Sequence, residues 1–128
     1  MTYQPARTTF RFYRGATFST EEIDVQDSDG VAVDLTNWTG VMRVWREDAD
    51  PTTADPLFAS NGTSPKITLL PSPFDATGKV TGVIGFADTL IDVDPDGETW
   101  YCRLELTNTN PNPDVVERTL EGYVIAFP

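Results

Sequence analysis

Residues 98–107, ETWYCRLELT, alternate without interruption. Trp100, Cys102, Leu104 and Leu106 fall on one side; Tyr101, Arg103 and Glu105 fall on the other. Successive side chains of a strand point to opposite faces, so this period of two predicts a strand with one buried and one polar face. The stretch before it, DVDPDG (92–97), opens like a calcium loop, with Asp92, Asp94 and Asp96 at every second position and then Gly97. Such a loop needs a bidentate glutamate six residues after its glycine. Arg103 stands there instead, and the residues between look extended. The better reading is a turn, with Pro95 presetting φ, Gly97 in the left-handed region and Asp96 bonded to its own backbone. No metal site is expected.

Outward from this strand the same grammar continues. VVERTLEGYVIAF (115–127) predicts the last strand, with a bend or bulge at Gly122. VTGVIGF (80–86) places Val80, Ile84 and Phe86 on one face, and ADTLIDV after it predicts a tight crossover with one helical turn. KITLL (66–70) is a short strand. In VMRVWRE (41–47), Met42 and Val44 face one way and Val41 and Trp45 the other, so both faces carry apolar groups. Residues 48–65 predict a polar, proline-rich loop. TTFRFYRG (8–15) predicts the first strand, with Phe10 and Phe12 on one face and Arg11 and Tyr13 on the other. In TFSTEEIDVQ (17–26), Phe18 is out of phase with Ile23 and Val25, which calls for a bulge near Glu21 and Glu22. DSDG (27–30) is a hairpin turn from which VAVDL (31–35) returns as a strand. Helical periodicity is nearly absent. Short alternating runs between prolines and glycines predict an all-β sandwich or barrel, antiparallel, in one domain.

The net charge of −11 repels phosphate backbones and anionic lipid, so no nucleic-acid or membrane partner is expected. No run approaches the ~20 apolar residues that span a bilayer, and the N-terminus lacks the apolar segment of a signal peptide. Residues 1–15 hold Arg7, Arg11 and Arg14 and no acid, which leaves −14 on the remainder. A basic arm on an acidic body suits attachment to the acidic body of a neighbouring copy; the alternative is a loose terminus that carries a few arginines. The single cysteine, Cys102, excludes an intrachain disulfide and reads as a small buried apolar residue. With no histidine, the usual general base and the commonest metal ligand are missing. No catalytic residue and no cofactor are expected.

Association is the remaining class. FRFYR (10–14) is aromatic and basic by turns, as an edge strand that links copies would be. Trp45 shares its face with Arg43 and is the tryptophan expected to be partly exposed, in the core or at an interface first and as a sugar platform second. The interface candidates are Arg7, Phe10, Arg11, Tyr13, Arg14, Arg43 and Trp45.

The order of the signals carries a resemblance. Arg14, Gly15 and Phe18 are followed by the Asp29–Gly30 hairpin, then Val33, Asp34, Leu35, Thr36 and Trp38, and then the strand with Arg43 to Arg46. Gly78, Asp88, Thr89, the Pro95–Gly97 turn before Trp100 and Tyr101, and Glu121, Gly122 and Val124 complete the set. Over residues 10–127 this resembles the immunoglobulin-like domain at the N-terminus of phage baseplate upper proteins and its single-domain relatives among tail and virion proteins. The resemblance implies an immunoglobulin-like antiparallel β-sandwich of about seven or eight strands over 10–128, preceded by an arm over 1–9. It further implies a bacteriophage virion structural protein, assembled in the host cytoplasm. That protein would be an adaptor or decoration in the tail, baseplate, fibre-attachment or head–neck region. Its partners would be other phage structural proteins and copies of itself, with trimers compatible with such particles. The alternative is a carbohydrate- or receptor-binding module for host attachment.

Overall fold

The computed structural model describes residues 8–47, 49–112 and 116–128. Among the described residues, nine strands form two sheets packed face to face: β1 (Thr8–Tyr13), β2 (Phe18–Ser19), β3 (Ile23–Asp24), β4 (Trp38–Arg46), β5 (Phe58–Ala59), β6 (Thr68–Leu70), β7 (Lys79–Ile84), β8 (Glu98–Asn108) and β9 (Glu117–Phe127). One sheet has the order β1-β9-β8-β4-β5; in the other, β2 and β3 pair successive stretches of β7, which pairs also with β6. The fold is an all-β sandwich.

The core is built from the inward residues of these strands. Trp100, Cys102, Leu104 and Leu106 of β8 are all buried, as their alternation requires. Phe12 packs on Trp100 with ring centroids 4.7 Å apart, and Phe18 and Phe58 each lie 5.8 Å from Phe12. Burial pushes the Cys102 thiol up to about 12, so it sits there as an inert apolar group.

The phase break between Phe18 and Ile23 is real. The ladder stops after Ser19 and resumes at Ile23, with Glu21 between them at φ 61°. Thr20 bridges the gap. Its hydroxyl accepts the Gly82 amide at 2.9 Å and donates to the Glu21 carbonyl at 2.9 Å, so this buried side chain replaces the lost ladder bonds.

Several expectations are corrected. The sandwich is not wholly antiparallel: β1 runs parallel to β9, from Thr8 opposite Gly122 to Tyr13 opposite Phe127. Thr8 and Thr9 pair in this ladder, as the strand read over 8–15 requires; residues 1–7 lie outside the described residues. The strand count rises to nine because the second strand is split and the 48–65 segment contributes β5, whose Phe58 enters the core. VAVDL is no strand. It makes one bridge, Ala32 to Gln26, and is then held by Val33 and Leu35 amides donating to Val25 and Asp75 carbonyls. Gly122 makes no bulge, since β8 and β9 pair without a break from Glu98–Ala126 to Thr107–Glu117. Phe86 leaves the strand and opens a 3-10 turn, Phe86–Thr89, where it is exposed.

The aspartates build the turns. Asp34, Asp50 and Asp75 each accept the amide of a threonine two residues on, at 2.9–3.0 Å. These bonds to Thr36, Thr52 and Thr77 hold the three carboxyls below the usual range. In DVDPDG the bonded group is Asp94, not Asp96: its carboxylate accepts the Asp96 amide at 2.9 Å while Gly97 takes φ 86°. The turn is closed by Glu98, which accepts the Asp94 amide at 2.8 Å. Burial pushes the Glu98 carboxyl up, but bonds from Asp94, Trp100 and Arg46 outweigh it and leave a net lowering. These carboxylates are local capping groups, which the sequence shows only as acidity.

Candidate association face

In the five-stranded sheet every ladder pairs odd-numbered with odd-numbered residues. Trp45 opposes Tyr101, Tyr101 opposes Tyr123, and Tyr123 opposes Thr9. The even-numbered residues of β8 and β9 point inward, so the odd ones of β1, β4, β8 and β9 share the outer face. One row across it is Arg43, Arg103 and Glu121; the next is Trp45, Tyr101, Tyr123 and Thr9. Beyond lie Ile125 beside Arg11, then Phe127 beside Tyr13.

The rows hold each other in place. Trp45 stacks on Tyr101 at 5.9 Å, and Tyr101 meets Tyr123 edge-on at 6.4 Å. The Arg103 guanidinium lies 5.8 Å from the Trp45 ring and 5.6 Å from the Tyr101 ring, within cation–π range. Its Nε donates to the Tyr101 hydroxyl at 3.2 Å. Arg43 and Arg103 both reach Glu105, each at 3.6 Å. Burial pushes the Tyr101 phenol above its ordinary value, so it stays neutral at physiological pH. At the far end Tyr13 stacks on Phe127 at 5.0 Å and 14° and is half-exposed.

Of the seven sequence candidates, Arg11, Tyr13, Arg43 and Trp45 are brought onto this one face. Trp45 is corrected: it is 3% exposed, not partly open. Its indole N–H donates to the Ala54 carbonyl at 3.1 Å, and the following loop covers the ring from outside. Phe10 faces inward and packs against the core, 6.5 Å from Phe18. Arg14 sits at the end of the sheet, its Nε donating to the Ile91 carbonyl at 2.9 Å. Arg7 lies outside the described residues. Tyr101, Arg103, Tyr123, Ile125 and Phe127 were missed as candidates. Their signal was the outward half of the alternation on β8 and β9.

No helix among the described residues is long and apolar enough to cross a membrane. Compared with protein-family models and with curated proteins, the chain matches none.

Proposed function

We propose that this protein is a non-enzymatic association module whose outer β1-β9-β8-β4 face docks on protein partners. The observation that carries this is the composition of that face. Tyrosine and arginine, the residues enriched where binding energy concentrates, stand side by side as Tyr13, Tyr101, Tyr123, Arg11, Arg43 and Arg103. Charge on the face is balanced, with Glu105, Glu117 and Glu121 opposing the three arginines. On a chain of net charge −11, such a face is where two acidic molecules meet with least repulsion.

The family expectation gives this module its setting: a bacteriophage virion structural protein, an adaptor or decoration that binds copies of itself or other virion proteins. The strand order supports the immunoglobulin-like reading. The run β4-β8-β9 with β5 at its edge, opposite β2/β3-β7-β6, matches the C-F-G and B-E-D sheets of that fold. The carbohydrate reading rested on Trp45 as an open platform, and the loop over that ring weighs against it.

The test is the mass in solution over a wide concentration range, for the native chain and for Tyr13→Ala with Arg11→Glu. Both positions are exposed, so the variant folds normally. The native chain is expected to form a discrete oligomer that the variant loses at least tenfold in affinity. A single-chain mass at every concentration, with a saturable glycan hit on an array, overturns the proposal. Labelling the protein on intact particles tests the virion setting.

A further inference from the structure

NGTSP (61–65) holds the chain's only Asn–Gly pair. It lies in the loop between β5 and β6, where every residue from Asn61 to Lys66 is exposed. The loop is pinned at both feet. Ser60 donates its amide to the Met42 carbonyl at 2.9 Å and accepts the Met42 amide on its hydroxyl at 2.8 Å. The Lys66 and Ile67 amides both donate to the Ala59 carbonyl, at 2.9 and 3.0 Å. Between the feet, no described residue bonds the Gly62 amide or the Asn61 side chain. Gly62 stands at φ 94°, and a Cβ there would meet nothing within 4 Å. The Asn61 carboxamide and the nitrogen that follows it are both open to water, and glycine brings no side chain to shield that nitrogen.

A backbone nitrogen attacks the asparagine before it only when it can shed its proton and turn toward that side chain. A nitrogen that donates to a carbonyl is aimed away and keeps its proton. By this criterion the other sites of the same chemistry are closed. Trp38, after Asn37, donates to the Leu35 carbonyl at 2.9 Å, and Thr109, after Asn108, donates to the Asn37 carbonyl at 3.0 Å. Asn110 and Asn112 precede Pro111 and Pro113, which have no amide proton to lose. The two Asp–Gly pairs can close the same ring by losing water. Their glycines are held, Gly30 donating to the Asp27 carbonyl at 3.0 Å and Gly97 to the Asp94 carbonyl at 2.8 Å. Asn61 is the asparagine whose following amide is both present and unbonded among the described residues.

We propose that Asn61 is a site of spontaneous conversion to aspartate and isoaspartate, through which the chain gains negative charge with age. Hydroxide takes the Gly62 amide proton, and that nitrogen attacks Cγ of Asn61. The Cγ–Nδ2 bond breaks and ammonia leaves. Water then opens the resulting cyclic imide at either carbonyl. The sum is asparagine plus water giving aspartate or isoaspartate plus ammonia. The isoaspartate product lengthens the backbone path by one carbon. Loops absorb such lengthening at little cost, and the bonds at Ser60, Lys66 and Ile67 keep it out of the ladder below. The product is a folded chain with one negative charge added to its net −11. This does not rest on the outer-face proposal, and either can fail alone.

The test is the full chain held in mildly alkaline buffer, native and in urea, with peptide maps that separate aspartate from isoaspartate. In the native chain Asn61 is expected to convert at least tenfold faster than any other asparagine, to both products, and within tenfold of its own rate in urea. Faster conversion at another asparagine, or a native rate at Asn61 more than tenfold below that in urea, overturns the proposal. The Asp29–Gly30 and Asp96–Gly97 pairs are expected to isomerise at least tenfold faster in urea than in the native chain. Equal rates there overturn the criterion that singles out Asn61. Asn61→Gln, at an exposed position, is expected to abolish the acidic species that ion exchange resolves in the aged native chain. An acidic species that still forms at the native rate in this variant overturns the proposal too.

Discussion

Replacing Trp45 by alanine separates two roles that one residue type can play on a sheet surface. If the ring is held by its own chain, the cost falls on folding; if it waits for a partner, the cost falls on assembly. The structure assigns the first. Trp45 is 3% exposed, stacked on Tyr101 at 5.9 Å and bonded through its indole to the Ala54 carbonyl at 3.1 Å. A buried tryptophan removes 150–250 Å² from water, which at ~25 cal/mol per Å² sets an upper bound of about 4–6 kcal/mol. The loop over the ring can settle partly into the space left behind, and the Ala54 carbonyl can turn to water. Both lower the cost, to about 3 kcal/mol, near the low end for buried tryptophan truncations.

Urea unfolding of the isolated chain measures this, read as a shift of midpoint at unchanged slope. Trp45→Phe serves as the internal control. It keeps a ring on Tyr101 and loses the indole bond, about 1 kcal/mol, with some contact area. The expected order is therefore native, Trp45→Phe at about 1–2 kcal/mol, and Trp45→Ala at about 3 kcal/mol. A Trp45→Ala loss below ~0.5 kcal/mol, the range of ordinary surface substitutions, would refute the covering of this ring by its loop.

Two further outcomes follow from turns. Gly78 and Gly30 share nearly the same left-handed backbone, φ 70° and 79°, but a Cβ at Gly78 would stand 2.8 Å from the Val33 carbonyl oxygen while one at Gly30 meets nothing within 4 Å. Urea unfolding should give about 1 kcal/mol for Gly30→Ala, from backbone strain alone, and about 2–4 kcal/mol for Gly78→Ala, with equal losses ruling out the close approach. Asp34, Asp50 and Asp75 have lowered carboxyl values, so their contribution is fully present above the ordinary carboxylate range and is lost as pH falls through the folded values. Replacing all three by Asn, which keeps an acceptor, should flatten the loss of melting temperature below pH ~4; an unchanged acid limb would place that loss elsewhere.

Much of the sandwich was legible because its strands are locally consistent. The alternation of 98–107 marked β8 and its buried face, and the odd step from Phe18 to Ile23 marked a break that the backbone makes at Glu21. What was illegible is what depends on distant partners. The parallel β1–β9 ladder joins residues more than a hundred positions apart, and nothing within FRFYR shows the direction of its neighbour. VAVDL has a strand's composition, yet the Val25 amide donates to the Gly78 carbonyl at 2.7 Å instead of back across the hairpin, and the ladder ends after one bridge. Propensity proposes a strand; the available edges decide whether it forms.

The outer face proposed for association shows the same division more sharply. Each strand's alternation told which of its residues face outward, but not that Arg11, Tyr13, Arg43 and Trp45 face outward together. That follows from register. Ladder positions in this sheet pair odd with odd, and a slip of one residue between β4 and β8 would send Arg43 and Trp45 inward against the core. The buried Trp100, Cys102 and Leu104 opposite Arg46, Val44 and Met42 hold that register, since any slip would expose them. The hydrophobic side of the sheet thus specifies the arrangement on its polar side. The chain's acidity completes the picture: many of its aspartates are committed to turns, capping amides two residues on, while the outer face keeps arginine and glutamate in balance. A large net negative charge is thereby compatible with one charge-balanced face, the one proposed for docking.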